Sequence, residues 1–261
     1  MGKRFPSHNL HLWQRGQRCF HSNIHSPEKV FRRLGLDHPS QGIGVANKHP
    51  TKNPEFEGWA QPYTLLDLLF SRVRTRVVEI TAPREGSKVL DLGTGTGGQA
   101  FAFGEKGFKV VAVDLSEKML SVARRRNKYG NVVFKKADAT SLPFRDSFFD
   151  VSCVSFVLHE VDHQTRERIL AEMSRVTKPG GTTTIVDYAL PKNPVFKHMV
   201  FSFVSSYENN NYPNFLWSNL VKLMEKKGIR VEEKHSMFMG TIKILRGIVT
   251  KPWAVSQTSV S

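Results

Sequence analysis

The segment Asp91-Leu92-Gly93-Thr94-Gly95-Thr96-Gly97 carries the strongest chemical signal in the chain. It joins an apolar run over 88–92 to a stretch with helical spacing. Glycines at such a junction permit a tight turn and let a ligand lie against bare backbone. The helix beyond offers unpaired N–H groups at its start to a negative group. Gly93, Gly95 and Gly98 also satisfy the G-x-G-x-x-G spacing of dinucleotide loops, so the loop alone does not choose its ligand.

Three acids narrow the choice. Asp91 stands two positions before Gly93, where a carboxylate can hold an ammonium group directly or through water. A nicotinamide dinucleotide has no ammonium there, and its pyrophosphate would be repelled. S-adenosylmethionine has an α-amino group and a sulfonium. Asp114 ends a second apolar run, the place from which a carboxylate accepts both hydroxyls of a ribose. Both cofactors share that feature. Asp138-Ala139 follows a third run and precedes Leu142-Pro143-Phe144. An acid there can accept from an adenine amino group, with apolar neighbours beside the ring.

These positions must be carried by a particular kind of framework. The sequence predicts strands over 88–92, 110–114, 132–135, 151–157 and 182–187. Helical spacing covers 63–80, ending before Pro83, then resumes from about Gly97. A third helix is capped by Ser116 and stops at Gly130, and a fourth covers 164–176, stopped by Pro179-Gly180-Gly181. The 151–157 run is apolar but for Ser152 and Ser155 and carries no charge, as in strands covered on both faces. Strands alternating with helices mean βαβ units and a parallel sheet. The tail departs from this rhythm. A helix over 216–227, closed by Gly228, is followed by strands over 229–235 and 241–249 with only 236–240 between them. A parallel pair needs a crossover of about a dozen residues, so this pair is a hairpin and the sheet ends in an antiparallel strand.

In these motifs the sequence resembles the class I methyltransferase family, in its small-molecule branch. The similarity covers roughly residues 60–250 in element order. It is specific over 88–187, through the Asp91–Gly97 loop, Asp114-Leu115-Ser116, Asp138-Ala139, Leu142-Pro143-Phe144, Phe149-Asp150-Val151 and Lys178-Pro179-Gly180-Gly181. The resemblance implies a doubly wound, Rossmann-like seven-stranded sheet of order 3-2-1-4-5-7-6 with strand 7 antiparallel. It implies S-adenosyl-L-methionine as cofactor and transfer of its methyl group to a small-molecule acceptor. Gly93, Thr94, Gly95 and Gly97 would approach the methionine part, Asp114 with Leu115 the ribose side, and Asp138 with Ala139 the adenine. Ser155 would lie by the methionine end.

Ligands of open α/β sheets bind beyond the carboxyl ends of the strands. That places His159 and Glu160, after strand four, and Tyr188, after strand five, nearest an acceptor. His159 can act as a base near neutral pH, or it can cap a helix and shape the pocket. Methyl transfer chiefly requires alignment and exclusion of water, so a dedicated base is not demanded. Ser155-Phe156-Val157-Leu158 is similar to the strand-four region of ubiquinone and menaquinone C-methyltransferases, which follow it with Arg-Asn where this chain has His159-Glu160. The two cysteines, Cys19 and Cys153, are too few for an arsenite methyltransferase, and no Asn-Pro-Pro-Tyr follows strand four as adenine N6 methylation would require.

Bulk properties bound the alternatives. The chain has 261 residues, with 38 Lys+Arg against 23 Asp+Glu, a formal +15. Such a field attracts anions, so RNA or a protein as acceptor is a second expectation, and a cofactor-binding assembly or regulatory protein a third. No run approaches the ~18 apolar residues of a membrane span. Two cysteines make a disulfide framework unnecessary and suit a reducing, intracellular compartment. No Cys/His spacing suggests a metal. Residues 1–55 hold no acid before Glu28, yet contain Lys3, Arg4, Arg15 and Arg18. They read as a basic, flexible arm, or as a mitochondrial transit peptide, ahead of a methyltransferase domain over 56–250 and a flexible tail over 251–261. The oligomeric state is left open.

Overall fold

The computed structural model describes residues 63–205 and 211–250. The arm over 1–55, Cys19 and the tail over 251–261 lie outside the described residues. Seven strands form one sheet in the order β3-β2-β1-β4-β5-β7-β6, which is the order the resemblance implies. They are β1 (Lys88–Leu92), β2 (Lys109–Asp114), β3 (Val132–Lys136), β4 (Phe149–Ser155), β5 (Thr177–Tyr188), β6 (Ile229–Met237) and β7 (Ile242–Val249). Pairs among β1 to β5 are parallel, whereas β7 runs antiparallel to both β5 and β6. A short 3-10 turn, Phe238–Gly240, makes the hairpin.

The helices are α1 (Tyr63–Thr81), α2 (Gly98–Glu105), α3 (Glu117–Arg126), α4 (His163–Val176), α5 (Pro194–Ser205), α6 (Asn211–Trp217) and α7 (Leu220–Lys226). Val73, Val77, Val78 and Ile80 of α1 are buried in one cluster with Val89 of β1, Val110 of β2 and Val186 of β5. A hydrogen bond of 2.8 Å between the buried hydroxyls of Thr81 and Thr184 ties the end of α1 to β5. This matters for function, because it seats α1 over the edge where the glycine loop emerges.

Local chemistry moved several boundaries from their predicted places. The helix from Ser116 has the expected cap, with Ser116 Oγ accepting from Met119 N at 3.3 Å, but it ends at Arg126 rather than Gly130. Asn127 leaves the helical conformation; its side chain donates to Val132 O and accepts from Tyr129 N. Such side-chain bonds compete with continued helix. Strand four starts at Phe149 and stops at Ser155, two residues short of its predicted end, because Phe156 turns to φ 56. Pro179-Gly180-Gly181 does not stop α4. Thr177 does so by turning extended, and residues 177–181 already belong to β5.

The single helix expected over 216–227 is two. Ser218 Oγ donates back to Phe215 O at 2.6 Å, and Asn219 caps α7 by accepting from Lys222 N at 3.0 Å. A Ser-Asn pair offers the backbone local partners that a continuous helix would not use.

Candidate functional site

The loop after β1 is closed by its own backbone. Thr94 N donates to Val113 O at 3.0 Å and Gly97 N to Thr94 O at 2.9 Å. Two glycines are required by their surroundings. Gly93 has φ +62, and a Cβ there would lie 2.4 Å from a methyl of Val157. Gly97 has φ +89, and a Cβ would meet the rings of Phe101 and Phe134 at 2.8–3.0 Å. Both positions therefore exclude a side chain by conformation and by space.

Asp91 is buried beneath this loop. One oxygen, Oδ2, accepts from the Thr94 hydroxyl at 2.6 Å. The other, Oδ1, is buried without a hydrogen-bond partner. Burial pushes this carboxyl up from its ordinary 3.8 to about 7, assisted by the nearby charge of Asp114 and opposed by the Thr94 hydroxyl. An unsatisfied buried acceptor is costly, and such atoms collect where a ligand completes the site. Asp91 borders a pocket of about 110 Å3 shared with Arg74, Thr94, Gln99, Ser155 and Phe156. Arg74 comes from α1, and its guanidinium lies over Gly98, where an added Cβ would sit 2.6 Å from its central carbon. One end of the pocket thus presents a carboxyl and a guanidinium together. That pair complements the ammonium and carboxylate of an amino acid, whereas in a nicotinamide dinucleotide only the guanidinium would find a partner, the pyrophosphate.

Asp114 closes the other side of the loop. Its Oδ2 accepts from Gly95 N and its Oδ1 from Ser116 N, both at 2.8 Å. Each oxygen keeps a lone pair for a hydroxyl. Leu115 beside it is 56% exposed, an apolar surface available to a flat ring. Ala137 N donates to Asp114 O at 3.1 Å, which brings the turn after β3 alongside. In that turn Asp138 Oδ1 accepts from the backbone and hydroxyl of Thr140, and Leu142 and Phe144 are buried behind it. Arg175 braces the same segment through Leu142 O and Phe144 O while paired with Glu172, which itself accepts from Leu142 N. The sequence reading did not single out this pair; its signal was an acid and a base three apart on one helix, too common to stand out.

The acceptor side differs from expectation. Ser155 and Phe156 line the pocket. Phe156 packs edge-to-face on Phe70 of α1 at 5.2 Å and on Tyr188 at 5.5 Å. A non-glycine residue at φ 56 costs of order 1 kcal/mol, and here it turns an aromatic ring into the site. His159 lies one layer deeper. It is 2% exposed behind Tyr188, whose ring centre is 4.7 Å away. Its Nδ1 is 2.7 Å from Oδ1 of Asp187, which is fully buried and also accepts from Leu158 N and Tyr188 N. Arg166 and Lys243 surround the same carboxylate. Arg166 donates to Leu158 O and Val161 O. Lys243 lies 4.2 Å from the Phe215 ring, and burial pulls its pKa down despite Asp187. Glu160 is exposed; its Oε1 lies 4.0 Å from His159 Nε2, and its backbone O accepts from Asn211 Nδ2 at 2.8 Å. Neither His159 nor Glu160 lines the pocket.

Asp91, Gly93, Thr94, Gly95, Gly97, Asp114, Leu115, Asp138, Ala139 and Ser155, expected around one ligand, lie at or just beyond the carboxyl ends of β1 to β4. Arg74, Phe70 and Phe156 join them without a sequence signal. Arg74 differs from Arg72 and Arg76 of the same helix in being half-buried, which only packing reveals.

Comparison with known proteins agrees with this geometry. A family model described as "Methyltransferase domain" matches residues 89–181. The chain is 31% identical over 224 residues to the ubiquinone/menaquinone biosynthesis C-methyltransferase of Stutzerimonas stutzeri, covering 74% of this chain and 86% of that one. It is 36% identical over 154 residues to the demethylmenaquinone methyltransferase of Paenarthrobacter aurescens; that match covers 57% of this chain and 59% of that enzyme. Among solved structures, a SAM-dependent methyltransferase of Thermotoga maritima, titled a possible histamine N-methyltransferase, superposes with a TM-score of 0.55 at 22% identity. It covers 73% of this chain and 94% of its own, and shows likeness of fold alone.

Proposed function

The chain belongs to the class I S-adenosylmethionine-dependent methyltransferase family, and on that premise we propose that it methylates a flat aromatic small molecule of the quinol type. The observation that carries the acceptor class is the aromatic wall of Phe70, Phe156 and Tyr188, which continues from the cofactor pocket. The relatives' names, which specify demethylmenaquinone and ubiquinone/menaquinone biosynthesis, agree with such an acceptor.

The bound cofactor supplies a methyl carbon activated by its sulfonium. In this reading Asp91 receives the cofactor's ammonium, and Arg74 its carboxylate. Backbone at Gly93, Thr94, Gly95 and Gly97 follows the methionine chain, and Ser155 closes it from β4. Asp114 accepts the ribose hydroxyls. Asp138, Ala139 and Leu115 frame the adenine. Phe156 and Tyr188 hold the acceptor ring flat and exclude water, which is the main demand of an in-line transfer. His159 is a positioning residue here: held by Asp187, it fixes the ring of Tyr188 from behind.

The test is incubation of the full chain with methyl-labelled S-adenosylmethionine and, separately, reduced demethylmenaquinol, total RNA and total protein. Label entering the quinol supports the proposal. Label entering only RNA or protein overturns it, and would return the +15 charge to the centre of the argument.

Asp114→Ala is expected to weaken cofactor binding about ten- to a hundredfold, since hydrogen bonds to a charged group contribute roughly 1.5–3 kcal/mol. Calorimetric titration with S-adenosylhomocysteine measures this. A folded variant with unchanged affinity would show that the ribose lies elsewhere.

A further inference from the structure

Away from the cofactor pocket, α5 and the end of α6 expose a patch that the methyl-transfer reading does not use. Val195 is 79% exposed, Met199 57% and Trp217 69%. Val195 and Met199 stand four apart, so they share one face of α5. Monomeric proteins rarely leave several large apolar side chains together in water without a partner. Beside them opens a cavity of about 390 Å3, lined by Leu190, Pro194, Lys197, His198, Phe201 and Trp217. Its walls are apolar, and its cations sit at the patch: Lys197 Nζ lies 5.1 Å from the Trp217 ring centre.

The charge here is mainly positive. Between 189 and 225 the sequence has Lys192, Lys197, Lys222 and His198 against two acids, Glu225 and Glu208, the latter outside the described residues. Exposed aliphatic side chains, a tryptophan and lysines on a short amphipathic helix are the combination that seats a protein in the headgroup region of a bilayer. The apolar groups enter the acyl boundary, and the cations meet anionic lipid. No helix among the described residues is long and apolar enough to cross a membrane, so such contact would be peripheral.

We infer that the face formed by α5 and the end of α6 docks on an anionic lipid surface. This rests on the patch and its charge, and it stands whether or not the acceptor is a quinol. A protein partner of the same face, including a second copy of this chain, would need an acidic or neutral apolar counterpart; Lys192 and Lys197 beside the apolar patch disfavour self-association.

The test is co-sedimentation of the full chain with vesicles of phosphatidylcholine alone and of phosphatidylcholine mixed with phosphatidylglycerol. Binding is expected to favour the mixed vesicles. Replacing Val195, Met199 and Trp217 together by serine should lower the partition coefficient about tenfold or more. Lys192→Gln with Lys197→Gln should lower it about thirtyfold at low salt. Partition unchanged in both variants would assign binding to another region, such as the basic residues before Glu28, and overturn the inference. Equal binding to neutral vesicles would overturn the role of charge. A dimer that the serine variant converts to monomer, seen by light scattering, would identify the face as a protein interface instead. A marked fall in melting temperature of the serine variant would show that these side chains pack within the molecule, and would equally defeat the idea.

Discussion

Asp187→Ala is expected to lower the stability of the protein by about 3–5 kcal/mol, the cost of removing one partner from a buried charged network. Asp187 is fully buried and accepts from Leu158 N at 3.0 Å, from Tyr188 N at 2.8 Å and from the His159 ring at 2.7 Å. Without the carboxylate, two backbone donors and an imidazole lose their acceptor in a dry site. Arg166 and Lys243 would also lose the negative charge that supports their protonated forms, as both already have pKa values pulled down chiefly by burial. Denaturant midpoints at pH 7 measure the loss. A decrease below about 1 kcal/mol would mean that water or a neighbouring group replaces the carboxylate, and that His159 is not held in the way described. Lys243→Met is the informative companion. It removes a cation that burial disfavours, along with its attraction to Asp187 and its contact with Phe215, while Arg166 and the backbone donors still serve the carboxylate, so it should cost clearly less than Asp187→Ala.

Asp91→Asn should act on binding and on folding in opposite directions. Affinity for S-adenosylmethionine should fall about ten- to a hundredfold, because the amide offers no charge to an ammonium. The pH dependence should change with it. Burial raises the Asp91 carboxyl to about 7, so in the cofactor-free protein it is largely protonated below that value. Affinity of the unmodified chain should therefore rise from pH 5.5 to 7, as the carboxylate forms, by up to roughly tenfold per unit. Asp91→Asn should remove that slope. The stability of the cofactor-free protein moves the other way. A carboxyl whose folded pKa lies above its ordinary value contributes stability at low pH, which is lost as pH rises from about 3.8 to about 7. At pH 8 the amide should melt at a higher temperature than the acid. Calorimetric titration across pH 5.5–7 and thermal melts at pH 8 test both statements. An asparagine variant with full affinity would show that the orphaned oxygen of Asp91 does not meet the cofactor.

These two residues mark what could and could not be seen in the sequence. Asp91 was legible because its chemistry follows from short-range facts. It lies on a strand whose apolar pattern is unmistakable, two positions from glycines that only a sharp turn would demand, and the backbone carries both to the same point. The same holds for Asp114 and Ser116, since a strand end and a helix cap are set by neighbours in the chain. The antiparallel seventh strand was legible for a related reason: the five residues from 236 to 240 are too few for a crossover, so connectivity alone decides the direction.

Asp187 shows the opposite case. It was visible as the end of strand five, but nothing local says that its carboxylate meets His159, which the turn after β4 places beside it. The neighbours that set the character of the site, Arg166 from α4, Lys243 from β7 and Phe215 from α6, come from three separate stretches of chain. Sequence alone therefore put His159 at an acceptor's edge, whereas packing put it behind Tyr188 and moved Phe156 into the opening. Arg74 and Phe70 likewise became part of the pocket because buried Val73, Val77, Val78 and Ile80, together with the hydrogen bond between Thr81 and Thr184, seat α1 against the sheet. The amino-acid sequence by itself determined the alternation of strands and helices, the terminal hairpin, the glycine loop and the acids that would surround a cofactor, because each depends on spacing along the chain; the strand order came with the family resemblance. Tertiary structure alone decided which side chains are dry, which are paired and which face the acceptor, because burial and electrostatics depend on residues that the chain brings together from a distance.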